Sequence, residues 1–151
     1  MKKVQKLLLV LSLVGYMLAP VMAQHTLTVQ IENIVPESGT VYLALYESAA
    51  AYKVSESGLP FKIGSLPAQQ LDTDVFQWTD VPAGEYGVAL YQDINNSEYI
   101  DKSRLGIPKE PYAFSNNPRA KWRKPKFSEI AFTIDEAPPT IVVQLQFWKN
   151  M

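Results

Sequence analysis

The chain has 151 residues, with 14 Lys and Arg against 15 Asp and Glu, and no cysteine. A balance this close to neutral excludes the basic footprint of a nucleic-acid binder. The lack of cysteine excludes disulfide staples, thiol redox chemistry, a cysteine nucleophile and a structural zinc–thiolate centre.

Met1-Lys2-Lys3-Val4-Gln5-Lys6 leads into an apolar run from Leu7 to Ala19, followed by the small residues Val21-Met22-Ala23. A basic start, a short apolar stretch and a terminal Ala predict a signal peptide over 1–23, cleaved after Ala23. The run is too short for a permanent span, and no Cys follows it that could carry a lipid. The expected mature chain, 24–151, is then extracytoplasmic (periplasmic or secreted) and has no transmembrane anchor. Without Lys2, Lys3 and Lys6 it carries 11 basic against 15 acidic residues, and its length suits one domain.

Thr26 to Ile34 alternates Leu27, Val29 and Ile31 with Thr28, Gln30 and Glu32, the period of a half-buried strand. Pro36-Glu37-Ser38-Gly39 reads as a turn and Thr40 to Tyr46 as a second strand, so the two are expected to pair as a hairpin. Glu47 to Glu56 is Ala-rich and predicts a short helix ended by Gly58-Leu59-Pro60. Phe61–Ile63, Ala68–Leu71 and Val75–Trp78 are short candidate strands. Asp80 to Glu85 is a turn in which Gly84 is expected to supply a positive φ. Tyr86 to Tyr91 follows as a central strand, where Gly87 and Ala89 leave room for something bulky. Glu129 to Ile134 and Thr140 to Trp148 are the last strands. Six to eight short strands with at most one helix predict an all-β, antiparallel, Ig-like or transthyretin-like sandwich.

Between the central strand and the basic stretch, 90–117 shows neither helical nor strand period. Loops this long inside a small domain are usually functional or disordered. Tyr99, Leu105, Ile107, Tyr112 and Phe114 make it too apolar for disorder. An ordered loop, held without metal by Leu105, Ile107 and Phe114, is expected.

Gly39-Thr40-Val41-Tyr42-Leu43-Ala44-Leu45-Tyr46, Val81-Pro82-Ala83-Gly84-Glu85-Tyr86, Leu105-Gly106-Ile107-Pro108-Lys109-Glu110 and Phe114-Ser115-Asn116-Asn117 together resemble domain-of-unknown-function family 2141. The resemblance covers nearly all of 24–151 and implies an exported bacterial sandwich protein with no defined activity. The Pro-Ala-Gly-Glu-Tyr turn is also similar to that of transthyretin-like and carboxypeptidase-regulatory-like modules. In the family the loop usually opens His-Asp-x-Asn-x-Asn-Gly. Gln92, Ser97 and Glu98 stand here at the His, second Asn and Gly positions.

Asp93, Asn95, Ser97, Tyr99 (through its carbonyl) and Asp101 fall at alternate positions, the spacing of a calcium loop. Glu98 replaces the turn glycine and Arg104 the bidentate Glu, so a self-capping Asx turn outweighs the metal. Any calcium bound would sit in the weak range of about 10⁻⁴ to 10⁻³ M. No cofactor is otherwise expected.

Arg119, Lys121, Arg123, Lys124 and Lys126, with Trp122 among them, form either a contact surface or a solvated link. The aromatic residues Tyr42, Tyr46, Phe76, Trp78, Tyr86 and Tyr91 read as core, with a sugar-stacking platform as the alternative. His25 is the only histidine, so neither a copper brace nor a Ser-His-Asp triad can be assembled in the usual way. No catalytic residue is therefore assigned. Asp93 with Asp101, or Glu98 with Glu110, would serve the alternative of a small hydrolase or isomerase. The expected role is a non-catalytic binding or accessory module. Its expected ligand contacts are Asp93, Asn95, Asp101, Tyr112, Ser115, Asn116, Asn117, Arg119, Trp122 and Arg123. The expected partner is a protein, a glycan or another envelope component.

Overall fold

Eight strands form two facing sheets in the computed structural model, which describes residues 24–53, 59–70, 74–120 and 122–151. The signal peptide expected over 1–23 lies outside the described residues. Among the described residues, no helix is long and apolar enough to cross a membrane.

The smaller sheet has the order β4-β1-β8, with β1 at Gln24–Glu32, β4 at Val75–Pro82 and β8 at Thr140–Gln144. The larger runs β3-β2-β5-β6, with β2 at Thr40–Tyr46, β3 at Lys62–Pro67, β5 at Gly84–Asp93 and β6 at Tyr112–Phe114. β7, Ala131–Ile134, also pairs with β5, beyond β6 along that strand. Period-2 alternation sends one face of each strand into a shared core. Leu27, Val29 and Ile31 of β1 meet Val41, Leu43 and Leu45 of β2 and Val88 and Leu90 of β5, all buried. Ile141 and Val143 of β8 and Ile134 of β7 complete it. Each such side chain contributes about 1.5–3 kcal/mol of burial, set against the entropy of ordering the chain.

Several details depart from the sequence expectations. First, β1 and β2 do not pair. Positive φ values at Asn33 (62°), Glu37 (55°) and Gly39 (65°) carry the connection from one sheet to the other instead of folding it into a hairpin. Central β1 takes β4 as its antiparallel partner and β8 as a parallel one, the single parallel strand pairing among the described residues.

Second, Gly84 does not have the expected positive φ; Asp80 does, at 56°. It lies in a bulge where His25 pairs with Val81 but Leu27 pairs with Trp78, so β4 carries one extra residue. That extra residue lets Trp78 and Val81, three apart, both face the core.

Third, β3 runs from Lys62 to Pro67 through Gly64, and Ala68–Gln70 is a 3-10 turn, not a strand. Fourth, the last strand stops at Gln144 and Trp148–Asn150 is a 3-10 turn. The helix expected from Glu47 is α1, Ala49–Lys53, with 54–58 outside the described residues. A second short helix, α2 at Phe127–Ile130, precedes β7 where strand was expected to begin.

Candidate binding site

Hydrogen-bond register arranges the outer face of the larger sheet in rows. Tyr42 stands opposite Ser65 on one side and Tyr91 on the other, and Tyr91 stands opposite Tyr112. The Tyr42 and Tyr91 rings are stacked, with centroids 5.5 Å apart and planes at 26°. The next row reads Ile63, Ala44, Ala89, Phe114. Two alanines between larger neighbours leave a trough across the strands.

Beyond that row the surface closes. A Cβ on Gly87 would lie 2.8 Å from Ile130 Cδ1, so α2 occupies the room that Gly87 leaves. Tyr46, Tyr52, Phe127 and Ile130 form a second small core there, beneath α1 and α2. The result is a cavity of about 820 Å³, mostly apolar, floored by Tyr42, Ala44, Ala89 and Tyr91. The Tyr residues thus divide: Tyr46 and Tyr86 are buried, while Tyr42 and Tyr91 are half-buried and floor the cavity. Phe76 packs partly buried against Trp78 in the main core.

One wall is the long loop, through Ile100, Lys102, Gly106 and Pro108. Its order comes mostly from polar groups. Buried Glu110 accepts hydrogen bonds from Ile94 N (3.0 Å) and Asp101 N (3.1 Å), pinning both ends of the first turn. Burial pushes the Glu110 pKa up, and the two N–H donors pull in the opposite direction. Asp93, fully buried, accepts from Ser97 N (3.0 Å) and Glu98 N (2.7 Å). A small hairpin follows, with Lys109 N bonded to Asp101 O and Ser103 N to Ile107 O. Its tip carries Leu105, 86% exposed. Leu105 is therefore not an anchor. Ile107 is only half-buried, whereas Tyr112 and Phe114 enter the sheet as β6.

The residues of the calcium-type spacing make their hydrogen bonds within the loop itself. Asp93 caps Ser97 and Glu98, Asn95 Nδ2 donates to Asp101 Oδ2 at 2.8 Å, and Ser97 Oγ donates to Tyr99 O at 3.0 Å. This is the self-capping arrangement. Glu98 adopts φ 69°, the conformation for which glycine would be preferred at that position. Among the described residues, no group of three or more His, Asp or Glu could hold a metal ion.

The opposite wall is the basic stretch, through Ala120, Trp122, Arg123 and Lys124. Four contacts hold it. Tyr112 Oη donates to Ala120 O at 3.0 Å, and Trp122 meets Trp148 edge-on at 5.2 Å. The Arg123 guanidinium grips both oxygens of Glu129 at 2.7 and 2.8 Å. Lys124 Nζ donates to Tyr52 O at 2.9 Å and lies 3.7 Å over the Tyr52 ring. Arg123, joined by the Lys126 N–H, holds the Glu129 carboxyl down to about 2.

The expected ligand contacts separate accordingly. Tyr112, Trp122 and Arg123 line the cavity, and Trp122 stays 82% exposed. Arg119 instead lines, with Asn117, a second, more polar hollow of about 840 Å³ that shares Tyr112, Trp122 and Arg123 with the first. Ser115 is buried, donating to Ile130 O and accepting from Val88 N. Asn116 bonds Ala131 O, and Asn117 bonds Val142 O and Gln144 N, tying β6 to β7 and β8. Those three side chains fasten the fold. Asp93, Asn95 and Asp101 belong to the turn.

Sequence reasoning missed Ala44, Ile63, Ile100 and Pro108 as lining, and Gln92 and Glu110 as buried supports. Small apolar residues carry no chemical flag, and only strand register reveals that two of them adjoin. A family model described as "Uncharacterized protein conserved in bacteria (DUF2141)" matches residues 29–142. The chain belongs to this family. That span runs from β1 into β8, so the DUF2141 region includes the trough and both its walls. No curated protein and no solved structure matches the chain.

Proposed function

We propose that this DUF2141 protein is an exported, non-catalytic binding module whose ligand lies in the trough of the larger sheet. One observation carries the reading. The long loop and the basic, Trp-bearing stretch are both held as walls over an apolar floor of ligand-site size. Export rests on the basic start and apolar run before Gln24. Exported material should begin at Gln24 on N-terminal sequencing, and material beginning at Met1 would refute this part.

The hydrolase or isomerase alternative gains no support. Asp93 and Glu110 each spend both carboxylate oxygens on backbone N–H groups.

The binding reading is tested by amide chemical shifts of labelled protein titrated with decanol as a neutral apolar probe. Shifts are expected to concentrate at Ala44, Ala89, Ile100 and Phe114. Ala89→Leu fills the trough and should weaken binding by about tenfold, the equivalent of 1.4 kcal/mol. Ala44→Val is the milder second variant should the first disturb folding. Shifts scattered away from the trough, or affinity indifferent to both variants, would overturn it.

A further inference from the structure

We infer that the ligand is an anionic amphiphile: a single apolar chain carrying a carboxylate or phosphate head, taken from solution. This rests on the binding reading above and narrows it. The shape gives the apolar part. The Ile63–Ala44–Ala89–Phe114 row crosses four neighbouring strands, a length of roughly 14 Å at the usual strand spacing. Ile63 at the open edge is 75% exposed, so the trough is not stoppered at that end. A chain of about ten carbons fits such a length lying flat across the strands. A folded sugar ring would use the stacked Tyr42–Tyr91 pair but leave most of the alanine row empty.

The charge gives the head. The described lining includes Lys102, Arg123 and Lys124 and not one Asp or Glu. The three cations are not equivalent. Arg123 is already compensated by Glu129, and Lys124 is drawn down onto the Tyr52 carbonyl and ring. Lys102, exposed on the loop wall, makes no ion pair among the described residues. It therefore assigns itself as the residue that reads the head, with Lys124 adding field from across the trough. A neutral amphiphile would gain nothing from these three charges, and a cationic one would be repelled by them.

The test compares decanoate, decanol and decyltrimethylammonium, each below its micelle-forming concentration, by amide shifts in low salt. Decanoate is expected to bind about fivefold tighter than decanol, the scale of one exposed ion pair, with the cation weakest. Lys102→Gln should bring decanoate and decanol to parity. Added salt should erode the decanoate preference. If all three ligands shift trough residues but decanoate has no advantage, the anionic assignment falls while the binding site stands. If none of them shifts trough residues, the binding reading itself falls. Anionic lipid vesicles supply the remaining arm. Sedimentation with vesicles in the absence of any decanoate shift would mean a bilayer-surface contact and would overturn the proposal.

Discussion

Gly39→Ala is expected to destabilise the fold by about 4 kcal/mol or more, near the extreme for a single methyl group. Two causes add. Gly39 has φ +65°, where a side chain costs about 1–3 kcal/mol. A Cβ there would also stand 1.7 Å from the Asp93 carbonyl oxygen and 2.9 Å from Ile94 Cα. Those are backbone atoms, so relief requires β2 and β5 to separate where Thr40 pairs with Asp93. That point is also where the long loop leaves the sheet, so the damage should spread to Asp93 and its two N–H partners. Urea melts of the two proteins decide it, and a midpoint shift within error would mean that the connection has another conformation. Gly84→Ala is the informative contrast. Gly84 lacks a positive φ, and the three atoms nearest its added Cβ would all belong to the Tyr86 ring and hydroxyl, at 3.2 Å and beyond. Its cost should stay below about 1 kcal/mol, in the range of ordinary substitutions away from special backbone positions.

The second large effect is expected at Gln92. Its amide is fully buried in β5 and makes three hydrogen bonds to the connection between the sheets. Oε1 accepts from Val35 N at 2.8 Å, while Nε2 donates to Val35 O at 2.8 Å and Ser38 O at 2.7 Å. Gln92→Leu keeps the bulk and strands three backbone groups. Each stranded group costs about 1–3 kcal/mol when water cannot replace the partner. Because the connection is only part-buried, a total of about 3 kcal/mol is the expected loss by urea denaturation. Gln92→His offers one donor and one acceptor and should recover part of it. If Gln92→Leu were neutral, the amide would be an incidental filler and not the clasp of this corner.

The trough depends on both effects indirectly. Gln92 and Gly39 fix where β5 ends and the loop begins, and Glu110 then folds the loop back so that Ile100 and Pro108 overhang Tyr91. Polar groups inside the domain thereby shape an apolar site on its outside.

Local pattern was enough for much of this protein. Alternation in 26–34 and 40–46 determined two strands and their buried faces, because a side-chain period of two follows from the backbone alone. The spacing of Asp93, Asn95, Ser97 and Asp101 suited either a weak calcium loop or a self-capping turn, and the structure shows Asp93 capping Ser97 N and Glu98 N within that turn. The composition of 90–117 marked an ordered loop, although not Leu105's place at its exposed tip. Tertiary structure alone decided which strands are neighbours. Thr26–Ile34 and Thr40–Tyr46 read equally well as a hairpin, and only the burial of Gln92 against Val35 and Ser38 shows why they part. Likewise Ala44 and Ala89 are forty-five positions apart, and neither has any chemistry to announce it. Pairing register makes them adjacent, and the larger rings on either side turn two methyl groups into the floor of a site.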